Sequence, residues 1–174
     1  MRKVFLSATF VMAAAVASVA AVQTPPKEHS SSAAFLKSAA EGGQQEVTLA
    51  TTAESKAANP QVKALAETIR KDHESANAEL KTLAEKKNVT LPMTPSTADK
   101  ATSNRLEKLS GAAFDKAYVA EMVKDHRTDI AEFQKHEKDS DPDVAAWATR
   151  TLPALQNHLK MALEAQKAIS GTSK

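Results

Sequence analysis

The 174-residue sequence has no cysteine, only four glycines, and aromatic residues at 4%. Without cysteine there is no disulfide framework, thiolate nucleophile, cysteine-ligated zinc or lipid-attachment site. Scarce glycine and aromatics, set against abundant Ala, Lys, Glu and Leu, disfavour a sheet-rich or collagen-like chain and favour helices. A surplus of one charge is also missing. The net charge is +2, and Arg2 and Lys3 are the only charged residues among the first twenty. Without them, basic and acidic residues balance at 21 each. That balance excludes a broad basic surface for nucleic acid.

A single long apolar run is present, Val4 to Val22, interrupted only by Ser7, Thr9 and Ser18. A basic head, an apolar middle and small residues at the end predict a secretory signal peptide over residues 1–20, cleaved after Ala20 or Ala21. The alternative is a retained anchor, because the run approaches the ~20 residues that span a bilayer. Its alanine-rich composition favours cleavage. The mature chain is then exported, periplasmic or secreted, with no spanning segment. It keeps roughly 150 residues, enough for one domain with its own core.

Residues 21–32 are polar and rich in Pro and Ser, which predicts a flexible linker. Residues 33–171 carry four long helical patterns. Helix A runs over Ala33–Ala58 with Ser31 or Ser32 as its cap, and helix B over Pro60–Lys87 with Asn59 capping and Pro60 in the first turn. Asn88 to Thr97 reads as a loop, and a short helix follows from Thr97 through Leu109. Helix C covers Ala112–Lys138 behind Ser110, and helix D runs from the Asp141-Pro142 turn to Ser170, with a kink expected before Pro153. Two tight turns make two antiparallel hairpins, and the ~23 residues between them reach across the ~38 Å length of such helices. The pattern predicts an all-α, ferritin-like four-helix bundle with one long B–C crossover, with a simple up-down-up-down bundle as the alternative.

Lys71-Asp72-His73 and Lys124-Asp125-His126 echo one another on helices B and C. Both histidines fall on apolar stripes, where a polar side chain needs a hydrogen-bond partner or a ligand. Helix A offers Glu46 on its stripe, and helix D offers His158. Counted from the turns, Glu46, His73 and His126 lie at ~20 Å, near mid-height, with His158 about one helical turn further. Three imidazoles and a carboxylate would suit one divalent ion such as Zn, Cu, Ni or Fe. The competing reading is a metal-free Glu/His polar network that holds the helices in register. A di-iron carboxylate centre needs a Glu three residues before two of the histidines; Arg70, Val123 and Leu155 stand there instead. Phosphate-binding and hydrolase motifs are missing too, so no catalytic residue and no organic cofactor is assigned. Asp72 and Asp125 either orient neighbours or, as is more frequent, face water. Tyr118 and Trp147 read as core anchors, His136 as a partner of the helix C dipole, and His29 as a linker residue.

Phe35 through Glu46-Val47, Asn59-Pro60-x-Val62-Lys63 and Lys71-Asp72-His73 resemble exported bacterial proteins of the domain-of-unknown-function family 4142. Phe114-Asp115-x-x-Tyr118-Val119, Asp125-His126 and Leu152-Pro153-x-Leu155-x-x-His158-Leu159 extend the likeness in order. It implies the ferritin-like topology but no reaction. Three function classes remain: a metal-binding exported domain, a metal-free structural or stress-related envelope protein, and an oxygen- or peroxide-using enzyme, the last weakened by the absent carboxylates.

Overall fold

The computed structural model describes residues 27–171. The expected signal segment and its cleavage positions lie outside them. Five α-helices and no strand occur among the described residues: α1 Lys27–Lys56, α2 Pro60–Lys86, α3 Thr97–Glu107, α4 Gly111–His136 and α5 Pro142–Gly171. None of these helices is long and apolar enough to cross a membrane.

Local chemistry explains several helix ends. Asn59 accepts the Gln61 N–H at 2.8 Å and Pro60 occupies the first turn of α2, where a missing N–H costs nothing. Ser96 and Asp99 form a reciprocal capping box on α3. Asp141 accepts the Asp143 N–H at 3.0 Å ahead of Pro142 in α5. Asn88, with φ of 55°, turns the chain out of α2 in the left-handed region that Asn tolerates.

Two ends differ from expectation. Ser110 has the extended backbone of a cap but makes no capping hydrogen bond with its side chain. α1 begins at Lys27, upstream of the start near Ala33, and its start is not set by a serine cap at Ser32. Ser32 donates to Asp139 Oδ1 at 2.7 Å, a tertiary contact to the α4–α5 turn. α5 continues as helix through Pro153.

α1 packs along α2 and α4 along α5, while α2 faces α5 and α1 faces α4. The short α3 rests on α1 and α4. Asp115, the fifth residue of α4, accepts the backbone N–H groups of Ala58 and Asn59 at 3.1 and 2.8 Å. α4 therefore starts at the same end as α2, and the segment between them traverses the molecule. At the opposite end, Lys87 pairs with Asp141 at 2.6 Å and Asp143 at 2.7 Å. α1 and α2 approach closely at Gly43, where a Cβ would lie 2.3 Å from Asn77 Oδ1.

The interior has two apolar clusters. One lies toward the α1–α2 turn and includes Leu49, Leu65, Ile69, Phe114, Tyr118 and Met122. The other lies toward the α4–α5 turn around Phe35, Leu80, Phe133, Trp147 and Leu155. Along every long helix the residue between the two clusters is polar: Glu46, His73, His126 and His158. Desolvating such a layer is costly unless its members find partners or a ligand. The position of these four residues thus carries the functional question.

Candidate metal centre

The four side chains meet in the interior, each between 0 and 6% exposed. One ring nitrogen from each of His73, His126 and His158 lies within 4.8 Å of the others. The His126–His158 ring centroids are 5.1 Å apart, and His73 stands 5.7 and 5.3 Å from them. Glu46 sits alongside, its Oε2 3.1 Å from His73 Nδ1 and its Oε1 3.3 Å from His126 Nδ1. Neither approach has hydrogen-bond geometry, so both carboxyl oxygens lack a hydrogen-bond partner within the protein, as does His73 Nε2.

The outward partners fix the tautomers. His126 Nδ1–H donates to the Met122 carbonyl at 3.0 Å, which leaves its Nε2 with a bare lone pair. His158 Nε2–H donates to Asp72 Oδ2 at 3.0 Å, which leaves Nδ1 bare in the same way. These two bare nitrogens face each other at 3.1 Å. Lone pairs at that distance repel unless a cation joins them.

Electrostatics keeps a proton from taking that role. Burial and the neighbouring His158 bring His126 down to about 3. His73 is held well below the usual imidazole range by burial, then by His126 and His158. Burial lowers His158 too, opposed by Asp72. Neutral imidazoles are the form that binds metal. The carboxyls shift the other way. Burial, followed by Asp129 and Asp125, holds Glu46 well above the ordinary range, and burial with Asp125 raises Asp129 to about 7. A cation among these groups would relieve their mutual repulsion. Unpartnered nitrogens, fixed tautomers and adjacent carboxyls fit a first-row metal ion, with the Asp72 contact orienting a ligand as outer carboxylates do around bound metals.

Asp129 is the residue that sequence reasoning missed, and for Asp72 the less frequent of its two readings, orienting a neighbour, is the one observed. Asp72 does not simply face water; it holds His158. Its counterpart in the repeated tripeptide behaves differently, since Asp125 lies 3.4 Å from Lys124 Nζ and contacts no histidine of the centre. The nearest sequence signal was the polar edge beside each apolar stripe. His136 is not simply a helix-end charge: it is buried, bonds Asp139 Oδ2 at 2.7 Å and stacks on Phe35 at 3.9 Å. His29 falls in the first turn of α1 rather than in a linker. Tyr118 and Trp147 are both buried in the apolar clusters.

The fold is similar to that of several solved structures. A DUF305 fragment from Deinococcus radiodurans matches with a TM-score of 0.70 at 15% identity, covering 83% of this chain and 97% of that one. CopM in its Cu(I)-bound form matches with a TM-score of 0.66 at 17% identity, over 79% of this chain and 96% of CopM. The Ag-bound form of CopM gives 0.65 at 16% identity, over 82% and 98%. At these identities the likeness is one of fold. A search of curated proteins returned no match. The family model described as "Domain of unknown function (DUF4142)" matches residues 17–165, and the chain belongs to that family.

Proposed function

We propose that this protein is an exported, ferritin-like four-helix domain that binds one divalent metal ion through His73, His126 and His158, with Glu46 beside them. The observation that carries this reading is the pair of facing imidazole nitrogens, 3.1 Å apart, whose outer nitrogens are both engaged. Copper is the ion best supported. Imidazole donors suit it, and it stands highest in the divalent affinity order. The structural neighbour CopM has Cu(I)-, Cu(II)- and Ag-bound forms, although its likeness to this chain is one of fold. The common starting end of α2 and α4 supports the single-crossover, ferritin-like topology. Export rests on the basic and apolar character of residues 1–20.

The test is equilibrium dialysis of tag-free protein against Cu(II), followed by elemental analysis. One ion per chain is expected, lost when His126→Ala and His158→Ala are combined. Retention unchanged in that variant, or no retention by the parent, sinks the proposal. A second reading, a metal-free Glu/His network that fixes helix register, is favoured by the His158–Asp72 hydrogen bond that joins α5 to α2 at 3.0 Å. It predicts a thermal midpoint indifferent to chelator and to added copper.

A further inference from the structure

Beside the imidazoles lies a small cavity of about 30 Å³, walled by Gly43, Glu46, His73, Asp129, Trp147 and Thr151 among others. Five buried side-chain atoms of the described residues have no hydrogen-bond partner within the protein. Four of them belong to residues lining this cavity: both Glu46 oxygens, His73 Nε2 and Trp147 Nε1. Trp147 is 2% exposed, and its indole N–H can only donate. Each such group left unsatisfied in the interior is costly, and their concentration around one space marks a site for a ligand.

The chemistry of the wall selects that ligand. It must accept from the indole N–H, and it must also donate or accept at the carboxyls and at His73. Its size is that of about one water. An apolar gas meets none of these demands. We propose that the cavity binds an exchangeable water or hydroxide, held by Trp147 Nε1–H and facing His73 and Glu46, which gives the imidazole centre an open position. This rests on the metal-binding reading above. A centre closed by protein ligands alone stores or buffers an ion, whereas one with an exchangeable oxygen ligand also admits small anions. Asn77 lines both this cavity and a larger surface groove beside Leu91 and Met93.

The experiment uses the full chain loaded with Cu(II). Electron paramagnetic resonance in ¹⁷O-enriched water should show broadened copper lines, and azide should shift the spectrum and add a charge-transfer band. Trp147→Phe should retain copper at the parent's stoichiometry while weakening azide binding by about tenfold, the loss of one buried hydrogen bond. Copper held normally with neither broadening nor an azide response overturns the open position and leaves the metal centre standing. Failure of the parent to hold copper overturns both. Equal azide affinity in the parent and in Trp147→Phe removes the indole from the site. The measurements on the parent decide the matter even if that variant does not fold.

Discussion

His126 Nε2 and His158 Nδ1 oppose each other across α4 and α5 at 3.1 Å, each with its other ring nitrogen already committed. A metal ion that joins them binds the folded chain more tightly than the scattered histidines of the unfolded one, so it must stabilise the fold. At a free concentration one hundred times its dissociation constant, the gain is about 2.7 kcal/mol. For a domain of this size each kcal/mol raises the midpoint by roughly 2–4 °C. Differential scanning calorimetry should therefore show a midpoint about 5–10 °C higher with excess copper than with chelator. His158→Ala should abolish the difference whatever it does to the metal-free midpoint.

Asp72 reaches the centre only through His158, whose Nε2–H it accepts at 3.0 Å. It should tune affinity without setting stoichiometry. Asp72→Asn keeps an oxygen acceptor but removes the charge that raises the basicity of the ring. We expect copper affinity to fall by about 10- to 100-fold, the usual cost of losing such a partner, with one ion still bound at saturation. Competitive titration against a chromophoric chelator would measure this. Unchanged affinity would mean that His158 is not a ligand.

The carboxyls near the centre give metal-free protein a pH signature. Asp129 is raised to about 7 from an ordinary value of 3.8, by burial and by Asp125. Between about pH 4 and 7 the folded chain keeps a proton there that the unfolded chain has released. The stability this contributes is complete below pH 4 and lost as pH rises to 7. The lowered histidines act oppositely: unfolded imidazoles take up protons below about pH 6.5, so the fold weakens as pH falls through that value. Asp129→Asn removes only the first effect. In chelator-treated protein, urea unfolding should find this variant more stable than the parent at pH 8, by on the order of 2 kcal/mol after allowing for solvent access. The advantage should shrink toward pH 4. A constant difference across that range would contradict the assignment.

Residue counting along helices placed Glu46, His73 and His126 at nearly one height, and His158 about one helical turn further, because a helix rises by a fixed amount per residue and the turns were marked by Asn59-Pro60 and Asp141-Pro142. Their common burial followed from periodicity. What lay beyond the sequence was rotation about each helix axis, which decides that Asp72 meets His158 while Asp125 meets Lys124. Long-range use of ordinary residues was equally hidden. Ser32 looked like a helix cap and instead bonds Asp139, and His136 looked like a terminal charge and instead stacks on Phe35. Each pairing joins segments whose separation in sequence says nothing about their contact.

Asp115 is the clearest case of such hidden use, and it separates stability from binding. An aspartate near the start of a helix is ordinarily explained by the helix dipole. Here the side chain is 2% exposed and takes the N–H groups of Ala58 and Asn59, pinning the α1–α2 turn to the start of α4. Asp115→Ala leaves both donors unpaired and should cost about 2–4 kcal/mol. Asp115→Asn retains one acceptor oxygen and should cost about half as much. The apolar cluster containing Phe114, Tyr118 and Met122 lies between this turn and the imidazoles. The rise in midpoint on adding copper should therefore be the same in Asp115→Asn as in the parent, even though both midpoints are lower. A smaller rise would show that the turn and the centre are coupled through α4, and that the polar layer depends on how that helix is seated.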